Sequence, residues 1–154
     1  MPPRILPYRP EFAAAFRDLN LAWIEELFRV EPVDLEVLEN PDRAVIRPGG
    51  EIFFAVDGEV PIGCCALMRV GDGWELTKMA VAPAWRGRGI GEALGRAVLE
   101  HAARVGATTV FLFTNSSLAG AIRLYERLGF RHAPMPGDAE YERGDVYMEC
   151  SFKK

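Results

Sequence analysis

Apolar and polar positions alternate along this chain with two periods, about 2 in short runs and about 3.6 in longer ones, so strands and helices can be separated by pattern. Residues 4–8 suggest a short strand bounded by Pro3 and Pro10. From Glu11 to about Phe28 the positions Phe12, Ala15, Phe16, Leu19, Trp23, Ile24, Leu27 and Phe28 recur at helical spacing, the stripe a helix turns to a core. A turn at Pro48-Gly49-Gly50 leads into three strands: Glu51 to Val56, about Pro61 to Val70, and Leu76 to Val81. Asp57-Gly58 and Gly71-Asp72-Gly73 supply the tight connections between them, which makes an antiparallel meander. Pro83 stops the third strand, because proline has no N–H for a sheet ladder.

A helical period returns at Ile90, with Ala93, Leu94, Ala97, Val98, His101, Ala102 and Val105 on one stripe and Gly106 as its terminating glycine. Thr109 to Phe113 is continuously apolar, as expected of a strand buried on both faces. Strand, helix and strand in that order imply a right-handed parallel crossover. Ser116 or Ser117 is placed to cap the next helix, whose expected buried face is Leu118, Ala121, Ile122, Tyr125 and Leu128, with Gly129 at its end. Phe130 to Ala133 reads as a short strand, Pro134 to Gly144 as a polar loop, and Val146 to Phe152 as a last alternating strand. The expected architecture is a single α/β domain over residues 1–154, a mixed sheet of six to seven strands flanked by helices.

Composition narrows the classes of function. Eighteen basic against 22 acidic residues give a net charge of −4, with no basic stripe outside the Arg86/Arg88 turn, so nucleic acid is not expected as a partner. No apolar run approaches 18 residues and the N-terminus has no signal-peptide core, so no membrane association is expected and a cytoplasmic location is. Three cysteines, two of them adjacent at Cys64 and Cys65, offer neither a disulfide framework nor metal spacing, and both sit in a strand pattern as small buried thiols. His101 and His132 lack Cys or His partners, so no metal site is expected.

The candidate chemistry lies where the third meander strand meets the helix. Arg86-Gly87-Arg88-Gly89-Ile90-Gly91 packs three glycines between and beyond two arginines at a helix N-terminus. Backbone N–H groups there lack helical partners, the helix dipole is positive, and glycine lets an anion approach the backbone, so phosphate or pyrophosphate is the expected ligand. A P-loop would need Lys-Ser or Lys-Thr after its last glycine, and none follows. A dinucleotide fingerprint needs Gly-x-Gly-x-x-Gly and a later acid, whereas the spacing is Gly-x-Gly-x-Gly and Thr109 to Phe113 carries no acid. Arg86-x-x-Gly89-x-Gly91 after a strand ending in Val-Ala-Pro resembles the acyl-CoA pyrophosphate loop of the GNAT superfamily, the acetyl-CoA-dependent N-acetyltransferases. Asn115 followed by a helix ending Leu124-Tyr125-Glu126-Arg127-Leu128-Gly129-Phe130 resembles a second signature of that family, in the right order and at a suitable distance.

The resemblance covers roughly residues 51 to 133 and carries specific expectations. It implies a splayed parallel strand pair where acetyl-CoA, the co-substrate, would enter. Arg86, Gly87, Arg88, Gly89, Ile90 and Gly91 would hold the pyrophosphate. The backbone of Met79, Ala80 and Val81 would run beside the pantetheine amides, with an N–H near Met79 polarising the thioester carbonyl. Glu75 matches the glutamate that acts as base in some branches, whereas others deprotonate the amine through ordered water. Tyr125 matches the tyrosine that protonates the departing thiolate, though a tyrosine on an apolar stripe is otherwise core. Asn115 would hydrogen-bond the pantetheine arm or serve only as a turn residue.

Acetyl transfer to an amine requires that the amine, with a solution pKa of about 10 for a lysine-like group, lose a proton near pH 7. It also requires that the oxyanion and the leaving thiolate be stabilised. No Gly-x-Ser-x-Gly elbow or Cys/His dyad motif is recognisable, which leaves direct attack by the acceptor. Eight carboxylates lie between Asp18 and Asp42 against one cation, Arg29. The resembled family commonly builds its acceptor wall from this region, so the carboxylates either steer a cationic amine or form a solvated face. The expected function is acetyl transfer from acetyl-CoA to a primary amine of a small molecule, with peptide acetylation and a non-catalytic acyl-CoA-binding role as alternatives. Oligomeric state is left open.

Overall fold

Apolar runs separated by glycine turns build one seven-stranded sheet in the computed structural model, which describes residues 2–137 and 144–152. The strands are β1 (Arg4–Pro7), β2 (Glu51–Asp57), β3 (Val60–Val70), β4 (Gly73–Val81), β5 (Thr109–Thr114), β6 (Arg131–His132) and β7 (Val146–Ser151), in the spatial order β1-β2-β3-β4-β5-β7-β6. Every neighbouring pair is antiparallel except β4 and β5, which are parallel. The helices are α1 (Ala13–Leu27), α2 (Pro32–Leu38), α3 (Ile90–Arg104) and α4 (Ala119–Leu128). The expected mixed sheet and its parallel pair are both present.

The pleat of the sheet divides the core into two layers, since successive strand side chains point to opposite faces. Phe53, Ala55, Cys65, Leu67, Leu76, Val110, Leu112 and Met148 pack against Leu94, Val98 and Ala102 of α3 and Leu128 of α4. Ile52, Phe54, Val56, Cys64, Ala66 and Ala80 pack against Phe12 and against Phe16 and Ile24 of α1 and Val37 and Leu38 of α2. Phe16, Phe54, Leu67, Leu94 and Leu112 are fully buried, and burial of such a side chain contributes roughly 1.5–3 kcal/mol. The adjacent thiols Cys64 and Cys65 therefore point into different layers, both buried.

Several expectations shift in detail. β4 begins at Gly73 rather than Leu76, so Glu75 stands inside the strand. β5 is not buried on both faces: Val110 and Leu112 enter the α3 layer, while Phe111 and Phe113 are half-buried. Phe111 and Phe113 instead meet Tyr147 of β7, with ring centroids 5.3–5.9 Å apart. A continuous apolar run thus hides an aromatic face that alternation alone could not separate from a second buried side. On α3 the buried stripe is turned so that Gly95 and Leu99 are inside, while Ala93 and Val105 are exposed. The segment from residue 29 to 50, read without helices, holds α2 and a single π-helical turn, Asp42–Ile46. Pro32 opens α2 at its first position and Asp34 Oδ2 accepts the Glu31 N–H at 2.8 Å, half of a capping box. Much of the loop expected from Pro134 to Gly144 lies outside the described residues.

Candidate active site

The site begins with an irregularity in β4. Cys64 of β3 pairs with Ala80 and Ala66 pairs with Thr77, so Cys65 stands opposite two residues, Lys78 and Met79. This β-bulge places Lys78 at φ +56°, the one non-glycine with positive φ among the described residues. Beyond the bulge, Met79 and Val81 pack toward the α3 layer and Ala80 toward the α1 layer. β4 and β5 share one register pair, Glu75 with Phe111, and toward their C-terminal ends both strands border a cavity.

A cavity of about 560 Å³ opens along the splay. Its floor is β4 from Glu75 to Val81, one side is the turn and first residues of α3, and the other is Phe113 to Asn115 at the end of β5. Leu124, Tyr125 and Arg127 of α4 line it, and Asn20, Trp23 and Ile24 of α1 with Phe28 wall the far end.

Sequence places glycine where the turn needs it. Gly87 and Gly89 adopt φ +77° and +79°, in the left-handed region that favours glycine, and Gly89 is the N-cap of α3. A Cβ on either would meet nothing within 4 Å, so their backbone borders open space. The first-turn N–H groups of α3 have no carbonyl four residues back, which suits them to an anion. Arg86 is anchored by its Nε donating to the Val81 carbonyl at 3.1 Å, and its guanidinium lies 3.9 Å from Glu26 of α1. Arg88 departs from expectation: it does not line the cavity, and its guanidinium sits 4.8 Å over the Trp85 ring. Glu92, an acid at the same helix end, is held by Arg96 at 2.9 Å and Arg127 at 3.1 Å, and these hydrogen bonds keep its carboxyl below the usual carboxylate range.

Glu75 is 9% exposed and lines the cavity on the face of β4 opposite Trp74 and Leu76. Tyr125 is half-buried, with its ring edge-on to Phe130 at 6.0 Å. Burial, and secondarily the neighbouring Cys65 thiol, push the phenol well above its ordinary pKa, so it is a proton donor rather than a phenolate. Asn115 lines the cavity, and its Oδ1 accepts the Ser117 N–H at 2.9 Å and the Ser117 hydroxyl at 2.6 Å, closing an Asx turn. Ser116 donates its N–H and hydroxyl to Asp145 at 2.8 and 2.7 Å. Neither serine caps α4, whose N-cap position is Leu118; the Ser117 hydroxyl is held by Asn115 in the turn and the Ser116 hydroxyl by Asp145.

Met79, Ala80, Val81, Arg86, Gly87, Gly89, Ile90, Gly91 and Asn115 all meet at the cavity with Glu75 and Tyr125. Sequence reasoning missed Lys78, Trp85, Phe113 and Arg127; Trp23 and Phe28, expected as core, do pack against the α1-side core and also line the cavity. A lysine directly before the apolar run Met79-Ala80-Val81 was the available signal for Lys78. The eight carboxylates from Asp18 to Asp42 are not a bare acidic surface. Asp18 pairs with Arg17, Asp34 with Lys78 and Glu36 with Arg43, each at 2.9 Å, and Asp42 pairs with Arg47 at 2.7 Å. Among the described residues no cluster of three or more His, Cys, Asp or Glu side chains could hold a metal ion, and no helix is long and apolar enough to cross a membrane.

A strand pair splayed beside a bulge, with a glycine-arginine turn at the helix behind it, defines an α/β fold with a cleft at its parallel pair. The sequence profile described as Acetyltransferase (GNAT) family matches residues 13–130, and the chain belongs to that family. N-acetylaspartate synthetase of Rattus norvegicus is 35% identical over 119 residues, 75% of this chain and 38% of that protein. The chain thus spans less than two-fifths of the length of that curated relative. A GNAT-family acetyltransferase from Staphylococcus aureus has the same fold at 20% identity, with TM-score 0.87 over 97% of this chain and 99% of that one. An acetyltransferase structure from Salmonella typhimurium, solved with acetyl-CoA, is 22% identical with TM-score 0.77 over 99% and 95% of the two chains.

Proposed function

We propose that the chain transfers an acetyl group from acetyl-CoA to a primary amine of a small molecule by direct attack in a ternary complex. The observation that carries this reading is the single cavity in which a left-handed glycine turn at the α3 N-terminus, the β4 bulge, Glu75 and Tyr125 all meet. Acetyl-CoA supplies the activated acyl group as a thioester. Backbone N–H groups from Gly87 to Gly91, with the Arg86 charge, bind its pyrophosphate. The edge of β4 from Met79 to Val81 meets the pantetheine amides as a further strand would, and Asn115 bounds that arm on the β5 side. The Met79 N–H polarises the thioester carbonyl. Glu75, directly or through one water, takes the proton of the incoming ammonium, and Tyr125 gives its proton to the departing thiolate.

A cavity of about 560 Å³ falls within the range of small-ligand sites, roughly 300–1,000 Å³. Its far end is walled by Trp23 and Phe28, aromatic surface on which the carbon skeleton of an amine can pack. The relative named for N-acetylaspartate gives one small-molecule precedent. Free thiols at Cys64, Cys65 and Cys150 suit a reducing, cytoplasmic compartment.

The test is thiol release from acetyl-CoA across a panel of free amines, amino acids and lysine peptides, with mass spectrometry of the product. Acetylation of at least one small amine, linear in enzyme, is expected. Binding of CoA without acetylation of any amine would overturn the transfer reading, and preference for peptides over every free amine would reassign the acceptor.

A further inference from the structure

Two helices grip the bulge in β4 at one residue. Lys78 is left-handed at φ +56°, a conformation a side-chain-bearing residue keeps only when its surroundings hold it there. Its Nζ donates to Asp34 Oδ1 of α2 at 2.9 Å, and the two side chains are 4% and 0% exposed. Asp34 is itself oriented, since its other oxygen accepts the Glu31 N–H at the start of α2. From the other side the Lys78 carbonyl accepts the Cys64 thiol at 3.6 Å. That sulfur receives the Asn20 amide of α1 at 3.4 Å, and the same amide donates to the Phe16 carbonyl at 2.9 Å. The grip thus runs from both acceptor-side helices to the peptide that joins Lys78 to Met79.

Stability alone does not account for a buried ion pair at this place. Desolvating two charges offsets most of their attraction, and well-packed apolar residues of similar volume often serve a core as well or better. What an apolar pair could not do is tether a strained backbone to a fixed point on a neighbouring helix.

We propose that Lys78 and Asp34 are positioning residues of the transfer reaction: their ion pair anchors the left-handed bulge to α2 and thereby sets the direction of the Met79 N–H toward the thioester carbonyl. The inference rests on the acetyl-transfer reading for its chemistry, and on bulge, φ and ion pair for its structure. Without the anchor, residue 78 relaxes to negative φ, the Lys78–Met79 peptide rotates, and the donor is lost while the pyrophosphate turn stays intact.

The experiment removes both charges at once, so that neither buried group is orphaned. Asp34→Asn with Lys78→Met keeps an acceptor for the Glu31 N–H and a similar volume at 78. Asp34→Asn with Lys78→Gly removes the same charges but supplies a residue that adopts positive φ without strain. CoA affinity by calorimetry, kcat with the best amine, and φ at residue 78 from scalar couplings of labelled protein are measured for both.

The Met variant should bind CoA unchanged, lose about 10²-fold in kcat, the size of one oxyanion donor, and leave the left-handed region. The Gly variant should regain the positive φ and most of the wild-type kcat. Should the Met variant not fold, Asp34→Asn with Lys78→Ala takes its place. A residue 78 still left-handed in the folded Met or Ala variant, a wild-type kcat there, or equal kcat in that variant and the Gly variant overturns the proposal. If the wild-type protein binds CoA but acetylates no amine, the transfer reading fails separately. The φ measurement then decides the anchor alone, supported by loss and recovery of the left-handed conformation and overturned by its persistence.

Discussion

A carboxylate on β4 and a phenol on α4, both bordering one cavity, can serve proton transfers that occur at different moments, so their loss should look different. Glu75→Gln keeps the shape but accepts no proton, and the amine must then arrive neutral. Its kcat/KM should recover as pH climbs toward the amine's own pKa, with weakly basic acceptors suffering least. Tyr125→Phe should lose rate with every acceptor, because the thiolate departs unassisted. Either loss should fall in the range typical of general acid or base help, ~10²–10⁴-fold. A wild-type pH profile for Glu75→Gln with two amines of different basicity would leave water as the base. Because burial raises the Tyr125 phenol, no alkaline fall in wild-type kcat/KM should arise from it below about pH 10.

The thiols titrate in the same direction for the same cause. Burial pushes Cys64 from 9.0 up to about 12, so above about pH 9 the unfolded chain releases a proton that the folded chain keeps. Stability is then fully present below pH 9 and falls as pH rises toward 12. Thermal melts from pH 7.5 to 10.5 should show Tm declining on the alkaline side, and Cys64→Ala should flatten that decline while lowering Tm at neutral pH. A slope unaffected by the substitution would assign it to other groups.

At the scale of elements, the turn into α3 is the most separable part of the site. Gly89→Asp adds a side chain where the backbone faces open space, so nothing is displaced, but it puts negative charge on a φ +79° position at the helix end. CoA affinity by calorimetry should collapse, while the melting profile of the ligand-free protein shows only the strain of a left-handed side chain, about 1–2 kcal/mol. Unchanged affinity in the folded variant would remove the turn from the cofactor site.

The same turn was legible in sequence because glycine spacing, a preceding proline and a helical period change together within a few residues. The meander β2 to β4 was legible because Asp57-Gly58 and Gly71-Asp72-Gly73 fix its register ends. Where function depends on pairing across strands, sequence fell silent. The bulge at Lys78 exists only relative to β3, and no local property of Thr77-Lys78-Met79 announces that Cys65 will face two residues. α2 was missed because seven residues give a helical period too little length to stand out, although Glu31-Pro32-Val33-Asp34 carried its start signals. The cap before α4 was misassigned because Ser116 and Ser117 find closer partners in Asp145 and Asn115, the first of them 29 residues away.

Across the whole molecule the net charge is −4, yet four of the eight carboxylates between Asp18 and Asp42 have a basic nitrogen within 3 Å and Glu26 has Arg86 at 3.9 Å. Pairing on that scale cancels most of the field that would draw in a cationic amine. Raising salt through the Debye range should therefore change KM for a cationic acceptor no more than for a neutral aromatic amine. A KM that rises with salt for the cation alone would restore electrostatic steering.

One register pair, Glu75 with Phe111, is the whole ladder between the four-stranded side of the sheet and the three-stranded side. Along the ladder the two sides meet at one point, with the α3 core layer packed across both, and the acyl donor is proposed to slide into the gap beside it. A molecule wedged there would act as a second fastener, so the resistance of the fold to heat becomes a gauge of its supply. At a hundredfold excess over Kd the ligand would add about 2.7 kcal/mol by mass action, a rise in melting temperature that continues with concentration after the site is nearly full. Differential scanning fluorimetry across a CoA series should trace that logarithmic climb, and a flat line would mean that CoA does not bind in the gap.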